Sequence, residues 1–484
     1  MMNNIYEDYE LVVGLEVHAQ LATASKAFSS DGATYGANPN TLVSPISLGH
    51  PGTLPVLNKS VLEYAIKLGI STNCEIRPWN EFARKNYFYA DLPKGYQITQ
   101  HTTPICFNGW VETKDDLGKT KRIGITRIHI EEDAGKSIHD MDAYDSLVDL
   151  NRCGVPLLEI VSEPDIRSSK EAYNYLTEIR KLVRYIEICD GNMEEGSLRC
   201  DANISVRKRG ASVFGTKIEV KNMNSIRNVQ RAIEFEFQRQ IELLESGHKL
   251  SSETRSFDAA NGTTFSLRSK EQANDYRYFP EPDLQPVVID KAYIDEVRSL
   301  MPPLPNFLLN KFQDEYKLSA YDAQVLTDSK EYALFFEEVV KHNPNYKAVA
   351  NWIMGPVKSV LNSEAKEMKE LNLSASRLSE LIKLVDENVI SNSAATQRVF
   401  PELLISNESP LEIAKRLNVV QDSNEDNLKE KAKSILLQYP EKVEEYRSGK
   451  KGVLGLFMGE LMKVTQGKAD PKLANKIFVE LIEN

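Results

Sequence analysis

The sequence predicts an α+β multidomain chain: a β-rich front, a helical middle and a small helical tail. Three observations carry that prediction. The front, residues 1–298, contains stretches that alternate polar and apolar residues, punctuated by Gly and Pro clusters. Met301-Pro302-Pro303-Leu304-Pro305 then interrupts regular structure, because proline fixes φ and removes an N–H donor. Beyond it, apolar residues recur at helical spacing. Pro401 and Pro410 mark a further boundary, giving expected domains at 1–298, 299–408 and 409–484.

Taken in order, the strands come first. In Leu15-Glu16-Val17-His18-Ala19-Gln20-Leu21, the apolar residues share one side and Glu16, His18 and Gln20 the other. Leu198 to Ile204 repeats the pattern with Arg199, Asp201 and Asn203, and Lys217 to Lys221 does so with Glu219 between lysines. Ile128-His129-Ile130-Glu131-Glu132-Asp133 ends a further strand in three acids. These patterns predict a sheet with one wet face.

Two helices are expected inside the front. Ser168 or Ser169 caps one that runs to about Cys189 before Gly191; the other starts near Asn224 and stops at Gly247. In the rear, Lys330–Lys341, Tyr346–Leu361 and Ala375–Asn388 read as helices, and helical patterns continue from Pro410.

The chain has 484 residues, 41% hydrophobic and 27% charged, ordinary values for a soluble globular protein. No apolar run approaches a membrane span. The acidic N-terminus lacks the apolar core of a secretory signal and the arginines of a transit peptide. The five cysteines, Cys74, Cys106, Cys153, Cys189 and Cys200, show no zinc or redox spacing and read as reduced thiols in a cytoplasmic protein. A net charge of −11 argues against general nucleic-acid binding but leaves room for a local basic patch.

Glu16, Glu132, Asp201 and Glu219 are hard oxygen donors suited to Mg²⁺ or Mn²⁺. His18 is an unusual ligand for Mg²⁺; it suits Mn²⁺ or Zn²⁺, or orients a carboxylate, and taken alone it reads as a strand histidine paired with an acid. The segment Ala83 to Gln97 interleaves cations and aromatics around a tight turn. Lys85 and Lys94 there suit the neutralisation of phosphoryl oxygens, although a surface hairpin with aromatic packing is the commoner meaning of such a stretch. No Walker-type loop is present. In Asn274 to Asp283, Arg277 amid tyrosines suits a carboxylate, a phosphate, a stacked base or simple packing.

Taken together, Gly14-Leu15-Glu16-Val17-His18, Arg84-Lys85-Asn86-Tyr87-Phe88-Tyr89, Ile128 to Lys136, Val148-Asp149-Leu150-Asn151-Arg152, Glu195 to Ile204 and Asp275 to Asp283 resemble the B subunit of tRNA-dependent amidotransferases, the GatB family. The resemblance runs along essentially the whole chain. It departs at Ala90, where the family pattern has proline.

The resemblance implies a kinase-like cradle, a helical domain and a tail domain that contacts tRNA. It implies ATP-dependent phosphorylation of the side-chain carboxylate of misacylated Glu-tRNA(Gln) or Asp-tRNA(Asn), followed by amidation. Glu16, His18, Glu132, Asp201 and Glu219 would hold the metal, Mg²⁺ in the first instance. Lys85 and Lys94 would line the phosphate path, with Asn86 and Arg199 beside the nucleotide. Asp201 and Glu219 would act with the two lysines in the reaction.

No glutaminase constellation is evident, since a nucleophile needs an activating base in reach. The resemblance therefore implies an amidase A subunit that releases ammonia, and a small C subunit completing a heterotrimer. At the far end, Gly449-Lys450-Lys451-Gly452 opens a helix followed by Lys463, Lys468, Lys472 and Lys476. That excess of lysine reads either as a solvated helix face or, under the resemblance, as the tRNA contact. Two rival functions remain: a non-catalytic tRNA-binding scaffold, and a free-standing ligase for a small carboxylic acid.

Overall fold

The computed structural model describes residues 5–139, 141–142, 144–269, 276–421, 425–465 and 469–483. The chain divides into two compact units, with the break between Leu304 and Pro305. The expected boundary at 298/299 falls within the last turn of the helix Lys291–Ser299. The helix stops at Ser299 with Leu300 as its C-cap, and the prolines follow.

The first unit is built on one twelve-stranded sheet. Its central strands, in spatial order, are Ile218–Met223, Leu198–Lys208, Tyr9–Gln20, Pro156–Ser162 and Thr120–Glu132. All four neighbouring pairs among them are antiparallel. One edge continues through Tyr96–Thr99 and Ala83–Asn86 to Arg277–Pro280; the other through Glu253–Asp258 to Thr263–Ser269.

The alternation sorts the two faces as expected. Val13, Leu15, Val17 and Ala19 join Ile128, Ile130, Leu158, Ile160, Ala202 and Ile204 in one buried cluster. Two helices cover that face, Ser169–Tyr185 and Ile226–Glu245, through Ala172, Leu176, Ile179, Val229 and Ile233. Each starts on a serine: Ser168 Oγ accepts from the Glu171 N–H and Ser225 Oγ from the Asn228 N–H. The first helix ends at Tyr185, short of Cys189, because Glu187 takes a left-handed φ of 57° and turns the chain. The opposite face of the sheet carries the polar residues and stays open.

The second unit is helical. Lys330–Val340 and Ala375–Asp386 lie where periodicity placed them. The span expected as one helix from Tyr346 is instead Tyr346–Trp352, a π turn at Ile353–Val357 and Lys358–Glu364. Pro356 has no N–H for the regular ladder, so the helix widens there. Helix Pro410–Arg416 ties back to its predecessors: Arg416 pairs with Glu402 and Glu408 at 3.0 Å, and the Gln421 N–H donates to the Val389 carbonyl. A separate core, including Leu428, Phe457, Leu461 and Phe478, forms among residues 425–483. Among the described residues, no helix is long and apolar enough to cross a membrane.

Candidate active site

Strand register builds the site. On the open face, His129 lies opposite Glu159, Glu159 opposite His18, and His18 opposite Arg199. Four strands thus contribute one transverse row of ionisable side chains. A second row places Glu16 opposite Asp201. Cross-strand partners have Cβ atoms roughly 5 Å apart, which brings their charges into direct contact.

Glu159 is the centre of the arrangement. Its Oε2 lies 3.3 Å from His18 Nε2 and 3.4 Å from His129 Nε2. His18 Nε2 also approaches Glu16 at 3.6 Å and Glu131 at 3.8 Å. His129, Glu131 and Glu159 are 4%, 4% and 6% exposed, so these charges act largely shielded from water. Two overlapping groups, Glu16–His18–Glu159 and His129–Glu131–Glu159, each bring three donor atoms within 4.8 Å of one another.

Their electrostatics follow from that crowding. Burial pulls the His18 pKa down, but Glu159, Glu131 and Glu16 outweigh it and push it up to about 9. Burial and the neighbouring Glu159 charge raise Glu16 above the usual carboxylate range. Burial opposes ionisation of Glu159, yet His129 and His18 hold it well below that range.

A cation fits this donor set. Among the described residues, buried His129 Nδ1 and Glu131 Oε2 have no hydrogen-bond partner, and such orphaned atoms are costly unless something satisfies them. Carboxylate oxygens with imidazole nitrogen suit Mg²⁺ through the acids and Mn²⁺ or Zn²⁺ through the histidines.

Glu16, His18, Glu131 and Glu159 line a cleft of about 590 Å³ together with Lys85, Arg199, Asp133, Asp201 and Lys221. Burial lowers the Lys85 pKa, and the Glu131 charge more than restores it, so the ammonium stays charged. Arg199 donates to Asp133 at 2.8 Å. Lys221 pairs with Asp201 and lies 3.1 Å from Glu219. Burial opposes its charge too, but Asp201 and Glu219 win and raise its pKa.

Of the residues expected from the sequence, Glu16, His18, Lys85, Arg199 and Asp201 meet in this cleft. Four do not line it. Glu132 has the parity of Ile128 and Ile130, so it turns to the other face. There it accepts from Lys94 and from the Ile98 N–H. Glu131, one residue earlier, takes the place expected of Glu132. Lys94 accordingly lies with Glu132 beside a separate small cavity of about 70 Å³. Asn86 donates to the Arg84 and Arg277 carbonyls at the sheet edge. Glu219 accepts from Thr254 Oγ1 at 2.8 Å and lies 3.1 Å from Lys221, which does line the cleft.

Sequence reasoning passed over Glu159, His129, Glu131 and Lys221 as functional groups. Glu159 did leave a signal: it is the one acid in the apolar strand Pro156-Leu157-Leu158-Glu159-Ile160-Val161-Ser162. A carboxylate there is expensive unless it has partners. His129 and Glu131 share a strand face, which parity alone reveals.

In the tail, Lys463 pairs with Glu460 at 2.6 Å, Lys451 with Glu483 at 3.2 Å and Lys476 with Glu480 at 3.8 Å. Much of that lysine excess is therefore matched locally. Lys468, and Asn274 and Asp275 of the tyrosine-rich motif, lie outside the described residues.

Comparison with known proteins follows the same outline. Residues 11–295 match the family model described as the GatB/GatE catalytic domain, and residues 334–482 match a GatB domain. The chain is 49% identical to the B subunit of the aspartyl/glutamyl-tRNA(Asn/Gln) amidotransferase of Thermodesulfovibrio yellowstonii, covering 98% of this chain and 99% of that protein. It is 49% identical to the protein of that name from Caldicellulosiruptor bescii, with the same coverage. For the one from Persephonella marina the identity is 48%, covering 98% of this chain and 100% of the relative.

Proposed function

The chain belongs to the GatB/GatE family, and from that premise we propose that it is the B subunit of an aspartyl/glutamyl-tRNA amidotransferase whose cleft phosphorylates and then amidates the esterified acid. The observation that carries this reading is the row His129–Glu159–His18–Arg199, with Glu16, Glu131 and Lys85 around it.

A free carboxylate is a poor electrophile because its leaving group would be oxide. Transfer of the γ-phosphoryl group of ATP to a carboxylate oxygen forms an acyl phosphate and releases ADP. Ammonia then attacks the acyl carbon, the C–O bond to phosphate breaks, and amide and inorganic phosphate result, with a proton lost from nitrogen. Lys85 and Arg199 supply fixed positive charge where the phosphoryl oxygens must lie. Glu16, His18, Glu131, His129 and Glu159 would hold Mg²⁺, or Mn²⁺ at the histidines. The ion would neutralise charge on the transferring group. Lys221 pairs with Asp201 and orients it. Lys94, Glu132, Asn86 and Glu219 do not line the cleft and act through structure.

Ammonia comes, on this reading, from a separate amidase A subunit, with a small C subunit completing a cytoplasmic heterotrimer. The helical and tail segments hold the tRNA body. The test is ATP turnover by the assembled complex with charged and uncharged tRNA. Hydrolysis that requires misacylated tRNA and fails in His18→Ala supports the proposal. Hydrolysis indifferent to charging, or a fully active variant, rejects it.

A further inference from the structure

We propose that the aromatic edge of the cleft, Tyr87, Tyr89 and Tyr276, stacks the bases of the single-stranded 3′ end of the charged tRNA. This inference rests on the functional reading above and names a substrate contact within it.

Register places these rings. Lys85 lies opposite Tyr278 on one side and Gln97 on the other, so Lys85, Tyr87, Tyr276 and Tyr278 share the parity of the open face. Lys85, Tyr87 and Gln97 line the same cleft as His18 and Glu159. Tyr87 meets Tyr89 edge-to-face at 5.7 Å and Tyr276 at 5.5 Å. Tyr89 is 47% exposed and Tyr276 39%. Through Tyr87 this half-exposed aromatic cluster borders the cleft.

Two features select a nucleic-acid strand over a lone mononucleotide. One base covers one ring face, whereas this edge offers three clustered rings and, beside them, Tyr278 stacked on His101 at 4.1 Å. A cation lies among the rings: Lys85 Nζ is 4.9 Å from the Tyr276 ring centre. Rings for bases and cations for the linking phosphates are how proteins hold single strands. The chemistry also demands proximity: the acid is esterified to the terminal ribose, so its base must sit beside the cleft that takes the carboxylate.

The experiment uses the complete heterotrimer. A tRNA with 2-aminopurine at its 3′ terminus reports stacking as fluorescence quenching, without turnover. Quenching is expected with the wild type, lost in Tyr276→Ala and regained in Tyr276→Phe, which keeps the ring. In steady-state amidation, Tyr276→Ala should raise KM for charged tRNA roughly tenfold, the scale of one base–aromatic stack, with KM for ATP unchanged. A raised KM for ATP with quenching intact would assign the rings to the nucleotide's adenine and overturn the proposal, as would no change in either. Because quenching needs no chemistry, it survives even if the amidation reading fails.

Discussion

His18 and Glu159 face each other across paired strands, with Nε2 and Oε2 3.3 Å apart, and the same carboxylate oxygen reaches His129 at 3.4 Å. One acid thus links two imidazoles in a largely dry pocket, an arrangement that only strand register could assemble.

Removing that link should disarm the site without unfolding the sheet. Glu159→Gln keeps shape and one acceptor oxygen but loses the charge. Mn²⁺ affinity, read by electron paramagnetic resonance, should fall by more than the roughly 10- to 100-fold that losing a mere supporting partner of a ligand costs. Circular dichroism should stay that of the wild type.

The His18 pKa makes a prediction about pH. Its folded value of about 9 lies above the ordinary 6.5. A raised value means that the stabilisation is fully present below pH 6.5 and is lost as pH rises through 9. The span corresponds to on the order of 3 kcal/mol. In metal-free protein the imidazole should titrate near 9 by nuclear magnetic resonance. His18→Gln should lose less thermal stability than the wild type between pH 6 and 10.

Parity separates two adjacent acids. Glu131→Gln should slow phosphoryl transfer by at least about a hundredfold, the scale of losing one preorganised charge, with little change in melting temperature. Glu132→Gln should leave Lys94 as an uncompensated buried charge and cost about 3–5 kcal/mol of stability. Calorimetry and single-turnover phosphorylation on both variants distinguish the roles. Reversed phenotypes would refute the assignment.

Lys221 sits between Asp201 and Glu219, so its loss leaves two half-buried carboxylates facing each other. Lys221→Met should cost about 1–3 kcal/mol. Adding Asp201→Asn should recover part of that cost, because contacting residues are not additive. Urea denaturation of the two singles and the double gives the coupling directly.

Much of this was legible in the chain. Leu15 to Leu21 and Leu198 to Ile204 declared their wet faces by simple alternation, and Glu16, His18, Arg199 and Asp201 meet as that alternation requires. What alternation cannot supply is which strands become neighbours. Glu159 was hidden for that reason: its own strand is apolar on both sides, and its partners lie 141 and 30 residues away in sequence (159 − 18 and 159 − 129). Glu132 misled for a smaller reason. Two adjacent acids look equivalent in composition, but a strand sends them to opposite faces. Pro356 likewise sits inside a good helical pattern and converts one turn to a wider one.

All of the proposed chemistry requires that this face hold a divalent cation between strands distant in sequence. Anomalous diffraction from a crystal of the heterotrimer equilibrated with Mn²⁺ would locate that ion outright. A peak is expected bounded by Glu159, His18 and Glu16 or by Glu159, His129 and Glu131, and absent in Glu159→Gln. An empty cluster at saturating Mn²⁺, with the metal bound elsewhere in an active complex, would show that the cation site is not here.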